Sequence, residues 1–180
     1  GSETGGSVRL PSSFCNLVGL KPTYGRISRY GIIAYASSLD QVGIFTRSVY
    51  DNAIVLSTLA GKDQKDSTSN DDFEKHCYYN SIKNLDLKGK KIGIINETFN
   101  AKGMPQETKN LLTKAISEFE KMGAETELVS IKTIENSAAM YFIISRAEVA
   151  SNLARFDGVK YGHRSKDYSN LMSMYKNTRM

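Results

Sequence analysis

The chain has 180 residues, of which 40% are hydrophobic and 24% charged, with a net charge of +5. That balance fits a globular domain long enough to bury a core, and no apolar run approaches the ~18 residues of a membrane span. The two cysteines, Cys15 and Cys77, set out neither a disulfide framework nor a zinc-ligand spacing, as expected of a reducing compartment.

The chain opens on Gly1-Ser2-Glu3-Thr4-Gly5-Gly6-Ser7. Thr4, Gly5 and Gly6 carry little bulk, so a substrate can approach the backbone closely. Glycine also tolerates the positive φ that a tight turn needs, and successive N–H groups in such a turn can converge on an anion. A serine at the end of the turn sits beside donors for the oxyanion formed when its hydroxyl attacks a carbonyl. Ser7 is therefore the candidate nucleophile, and Thr4, Gly5 and Gly6 are candidate oxyanion donors through their main-chain N–H groups. Gly-Gly-Ser also occurs in ordinary loops, so the triplet alone does not decide. A phosphate cradle fits poorly, because no Gly-Lys-Ser/Thr ending and no preceding apolar strand are present.

Residues 1–45 read as loops and short strands, punctuated by Gly19, Pro22, Gly25, Gly31 and Gly43. Cys15 reads as a small buried thiol beside the nucleophile. A helix follows, with Thr46 as N-cap, Val49, Ala53, Leu56 and Ala60 on one face, and Gly61 at C′. Residues 61–80 read as a solvated polar loop with a short helix around 73–79.

A β-α-β pattern comes next. Lys91–Ile95 is an apolar run fit for a buried strand. Pro105 opens a helix striped by Leu112, Ala115, Ile116, Phe119 and Met122 and ended by Gly123. Residues 127–131 form the second strand, parallel to the first through a right-handed crossover. Gly93 stands alone, so no dinucleotide turn is present. A long helix is predicted over 133–156, with Met140, Tyr141, Ile144, Ala147, Ala150 and Ala154 near one side, and a last helix over 165–177. His76 and His163 are isolated and show no ligand spacing. The lysines are scattered rather than gathered with aromatics, which does not mark a nucleic-acid face.

The run Gly-Ser-Glu-Thr-Gly-Gly-Ser-Val-Arg-Leu-Pro-Ser at the start resembles the closing half of the amidase signature, and Val18-Gly19-Leu20-Lys21-Pro22-Thr23-Tyr24-Gly25-Arg26 extends it. Ser28-Arg29-Tyr30-Gly31, the block from Ala36 to Gly43 and the block from Ala150 to Gly162 are similar to one branch of that family, the glutaminase (A) subunits of glutamyl-tRNA(Gln) amidotransferases. The resemblance implies an α/β fold, a mixed, mostly parallel sheet covered by helices. It implies that residues 1–180 are part of an amidase domain whose flanking portions are missing.

The family uses a Ser–Ser–Lys triad, in which a neutral lysine is the base and a second serine relays the proton. Ser7 matches the attacking serine. The lysine and the relay serine belong upstream, and Lys21 and Lys62 fit neither position, so the chain alone is expected to be inactive. Arg9 is expected to anchor the turn against Glu3 or Asp40. Asp40 and Gln41 are expected to support the site from behind, and Tyr141 to line a glutamine pocket. The family often has Gly-Pro where this chain has Gly43-Ile44.

The implied activity is a cytoplasmic (or organelle-matrix) glutaminase that supplies ammonia for converting Glu-tRNA(Gln) to Gln-tRNA(Gln). Its implied partners are the B and C subunits of the amidotransferase, with the tRNA held mainly by the partner that uses ATP and Mg²⁺. No cofactor, metal or membrane is implied for this chain itself. The alternatives are a stand-alone amidase acting on another small amide and a non-catalytic fragment that binds partner subunits.

Overall fold

The computed structural model describes residues 1–70, 77–83 and 85–180. These fall into two compact units, one of Gly1–Tyr79 with Phe142–Met180, the other of Asn80–Tyr141.

In the first unit, β1 (Ser2–Glu3) leads through the serine turn into α1 (Arg9–Phe14) and then β2 (Val18–Leu20). After a long irregular stretch come β3 (Gln41–Val42), β4 (Ile44–Thr46) and α2 (Val49–Leu59). β1 pairs antiparallel with β3, and β2 with β4, in the register Val18↔Thr46, Gly19↔Phe45, Leu20↔Ile44. Helix α2 covers the second ladder. Ile27, Ile44, Leu56 and Ala60 form the core there, with Leu20, Val42, Val55 and Tyr78 packed against it.

The start of α2 differs from expectation. Thr46 still belongs to β4, and its hydroxyl donates to the Ser48 carbonyl. Ser48 is the N-cap, accepting the Asp51 N–H at 3.0 Å. Val49 is exposed, because it precedes the turn that meets the ladder, whereas Ala53, Leu56 and Ala60 are buried as predicted.

The polar run after α2 is more tied down than a solvated loop. Asp63 Oδ2 accepts the Ser28 hydroxyl at 2.7 Å, and Asp66 Oδ2 accepts the Arg29 N–H at 2.7 Å. Most of the helix expected at 73–79 lies outside the described residues, as does His76. Helix α3 spans Tyr78–Ile82.

The second unit holds β5 (Lys91–Ile95), the short α4 (Asn96–Phe99), α5 (Gln106–Lys121) and β6 (Glu125–Val129). β5 and β6 pair in parallel, from Lys91↔Glu125 to Ile95↔Val129. The second strand starts two residues earlier than read, and Ser130 and Ile131 leave it to bind the Glu97 carboxylate. Pro105 is the N-cap rather than the first helical residue. The α5 stripe is not buried, since Leu112, Phe119 and Met122 are all exposed.

A 3-10 turn, Lys132–Asn136, leads into α6 (Ser137–Ala154), and α7 (Leu171–Arg179) ends the chain. Helix α7 begins later than read, because Asn170 and Ser173 form a capping box at its start. Met174 is its buried residue, while Leu171 is exposed. In α6 the buried residue is Ser145, and Met140, Ile144, Ala147, Ala150 and Ala154 are exposed.

Gly43 carries a sharp prediction. A Cβ at this position would lie 2.6 Å from Val8 Cγ2 and 2.9 Å from the Leu20 carbonyl oxygen. Val8 is itself fully buried. Gly43→Ala is therefore expected to cost about 1–3 kcal/mol as an overpacked site, read as a lowered urea midpoint. The neighbouring Ile44 is buried and paired with Leu20, so it takes an ordinary strand place where the family often has proline.

Candidate active site

The serine turn is held at both ends by carboxylates. Glu3 is 2% exposed, and its Oε2 accepts the N–H groups of Val8 at 3.0 Å and Arg9 at 3.1 Å. These N–H groups open α1, where helical donors lack partners within the helix. The other oxygen, Oε1, takes the Arg9 guanidinium, with Nε at 2.7 Å and Nη2 completing an ion pair. Arg9 thus anchors on Glu3 rather than on Asp40. Burial pushes the Glu3 carboxyl up, but the hydrogen bonds from the Arg9 side chain and from the Arg9 and Val8 N–H groups, with the Arg9 charge, outweigh it. The net result lies below the usual carboxylate range.

At the other end, Asp40 is 5% exposed. Its Oδ1 accepts the Thr4 hydroxyl at 2.5 Å, and its Oδ2 accepts the N–H groups of Tyr35 at 2.7 Å and Ala36 at 2.9 Å. Gln41 lies in β3 opposite Glu3, and its side chain accepts from Lys21 Nζ at 3.4 Å. Lys21 Nζ also donates to the Pro22 carbonyl at 2.7 Å, which keeps it engaged at its own loop.

Between the two clamps, Gly6 adopts φ +117°, and a Cβ there would meet nothing within 4 Å. Ser7 and Gly5 are exposed. Among the described residues no hydrogen bond takes the N–H of Gly5, Gly6 or Ser7, or the Ser7 hydroxyl. The Gly6 carbonyl instead accepts from Leu10 N at 2.8 Å, closing the first turn of α1. The arrangement is an open serine beside unspent amides, braced from below by buried Val8 and Glu3.

Other predicted residues fall elsewhere. Cys15 is exposed rather than buried, because it caps the short α1 on its outer side, next to Phe14 at 80% exposure. His163 is exposed. Tyr141 is half-buried in α6 and is the last residue of the second unit. Among the described residues no group of three or more His, Cys, Asp and Glu is placed to hold a metal, and no helix is long and apolar enough to cross a membrane.

Sequence reading missed three residues that shape the site. Arg29 Nη1 donates to the carbonyls of Ser37 and Asp40, bracing the loop that carries Asp40. Glu148 and Asn152 reach the same loop from α6. Glu148 and Asn152 lie more than 100 residues from their partners, and Arg29 sits in a family-like block that gives no sign of which carbonyls it would hold.

The whole chain, residues 1–180, matches the Amidase family. The chain belongs to that family. It is 50% identical over 99% of its length to the A subunit of glutamyl-tRNA(Gln) amidotransferase from Persephonella marina, of which it spans 36%. Among solved structures it is similar to the A subunit of the Thermotoga maritima glutamyl-tRNA(Gln) amidotransferase, with a TM-score of 0.77 and 38% identity, covering 84% of this chain and 33% of that one. It is also similar to the peptide amidase of Stenotrophomonas maltophilia, with a TM-score of 0.74 and 31% identity, covering 87% of this chain and 32% of that one. The fold is the amidase signature fold, of which the described residues carry two antiparallel two-stranded ladders and one parallel pair. The chain spans about a third of the length of these relatives.

Proposed function

We propose that the protein containing this chain is the glutamine-hydrolysing component of a tRNA-dependent amidotransferase, with Ser7 as nucleophile. The observation that carries the proposal is the exposed Ser7 at the end of a turn whose Gly5, Gly6 and Ser7 N–H groups are unspent, with Gly6 at φ +117°. The Ser7 oxygen bonds to the side-chain carbonyl carbon of glutamine, and the charge on the carbonyl oxygen is taken up by those amides. The C–N bond then breaks, and the Ser7 proton passes through the base to the departing ammonia. Water cleaves the γ-glutamyl ester and restores the serine.

A serine hydroxyl is a weak nucleophile without a base within reach. That base is assigned to a lysine acting through a relay serine, as the resemblance implies, and neither Lys21 nor Lys62 fills that role. The 180-residue chain by itself is therefore expected to release no ammonia from glutamine. Tyr141 is assigned to the glutamine pocket. Amidation of Glu-tRNA(Gln) with ATP and Mg²⁺, and most tRNA contact, are assigned to the partner B and C subunits in the cytoplasm or an organelle matrix.

A stand-alone amidase is the second reading, favoured by the likeness to a peptide amidase; the higher identity to amidotransferase subunits puts it behind. The test uses the whole protein with a serine-directed acylating probe. Labelling of the peptide carrying Ser7, and protection of it by glutamine, is the expected result. Labelling elsewhere, or protection by peptide amides but not by glutamine, would overturn the assignment. Formation of Gln-tRNA(Gln) only when the partner subunits are added separates the amidotransferase from the stand-alone amidase.

A further inference from the structure

Helix α6 meets residues 35–38 with polar side chains. Ser145 is 1% exposed, whereas Phe142 and Ile143 on the same helix are exposed at 59% and 73%. Glu148 and Asn152 follow Ser145 at helical spacings of three and seven, which keeps all three on one side. Asn152 and Glu148 make directed bonds. Asn152 Nδ2 donates to the Tyr35 carbonyl at 3.2 Å and to Ser37 Oγ at 3.1 Å. The Glu148 carboxylate accepts the Ser38 N–H at 3.0 Å and the Ser38 hydroxyl.

These partners belong to the loop that wraps Asp40. Asp40 gathers the Tyr35 and Ala36 N–H groups on one oxygen and the Thr4 hydroxyl on the other. A continuous set of hydrogen bonds thus runs from α6, through residues 35–40, to the first residue of the serine turn. Glu3 fixes the far end of that turn at Val8 and Arg9. The donors between them include Gly6, which has no side chain to brace it.

We propose that Asn152 and Glu148 are positioning residues for glutamine hydrolysis, setting the oxyanion donors by holding the Asp40 loop against Thr4. The inference rests on the glutaminase reading above. Neither residue touches the reacting atoms. Their effect arises because a shift of about 1 Å in a catalytic group is felt as roughly 100-fold in rate, while substrate affinity resides elsewhere.

The test uses glutaminase kinetics of the whole protein. Asn152→Ala and Glu148→Gln are each expected to lower kcat about tenfold, with KM for glutamine changed by less than about twofold. In a Thr4→Val background, where the bond to Asp40 is already lost, Asn152→Ala is expected to add less than about twofold. Unchanged kcat in the single variants, or full additivity with Thr4→Val, would overturn the inference. Should Asn152→Ala fail to fold, Ser37→Ala removes one partner of the same side chain, leaves the Tyr35 carbonyl in place and takes its place in the cycle. Undiminished turnover in Ser7→Ala would instead remove the underlying glutaminase reading and leave the loop contacts unaffected, so the two failures are distinguishable.

Discussion

Ser7→Ala in the whole protein is expected to lower glutamine turnover by at least about 10,000-fold, with Gly6→Val losing about 100- to 1,000-fold. The two losses have different origins. Alanine at position 7 removes the atom that forms the ester, and the nearby hydroxyls of Thr4, Ser12 and Ser13 are spent on other partners. Ser12 is buried and its hydroxyl is spent on the Val8 carbonyl at 2.7 Å, while Ser13 donates to the Leu10 carbonyl. Residual turnover would therefore reflect binding and the oxyanion donors alone. Gly6→Val leaves the nucleophile in place. Its φ of +117° is poorly accessible to a β-branched residue. The new side chain would also project into the open space through which the carbonyl approaches, since nothing lies within 4 Å of a Cβ there. Steady-state glutaminase assays with a folded-state check by circular dichroism separate chemistry from stability. Ser7→Ala protein that keeps its turnover would refute the nucleophile. Gly6→Val protein that is folded and fully active would refute the oxyanion role of the turn.

The features legible in the sequence were those encoded locally. The serine turn is a run of small residues, and its φ > 0 position falls on Gly6. The parallel pair β5–β6 with α5 between them follows from two apolar runs flanking a helical stretch. The Ala53–Leu56–Ala60 face of α2 follows from spacing. Errors of a few residues arose where competing hydrogen bonds decide. Strand pairing kept Thr46 in β4 and moved the cap to Ser48, and the Asn170–Ser173 box moved the start of α7. The polar contacts of α6 were not legible, because their partners lie far along the chain. Ser38 and Glu148 are 110 residues apart, and no local pattern links them. The exposure of Cys15 has a similar cause: α1 is short, and its inward contacts are made by Val8 and Ser12, leaving Cys15 outside.

Glu3 is where the fold and the site depend most on one side chain. Its carboxylate is 2% exposed and receives two main-chain N–H groups as well as the Arg9 guanidinium. Glu3→Ala strands the Val8 and Arg9 donors in a buried turn, and breaking a buried charged partner set of this kind costs about 3–5 kcal/mol. Arg9 itself contributes less to that loss, because its side chain is 58% exposed and can turn to water. Glu3→Gln is the sharper probe. Glutamine keeps the shape, but its NH₂ must face either the main-chain donors or the guanidinium, so one side meets donor against donor. The pH dependence has a defined sign. The carboxyl is held below its usual range in the folded state, so its contribution is fully present above the ordinary glutamate pKa, about 4.3. It is lost as pH falls through the lower, folded value. Urea unfolding from neutral to acid pH is expected to show the wild-type advantage over Glu3→Gln shrinking across that window. An advantage that is absent at neutral pH, or that grows as pH falls, would show that the Glu3 charge does not hold the serine turn.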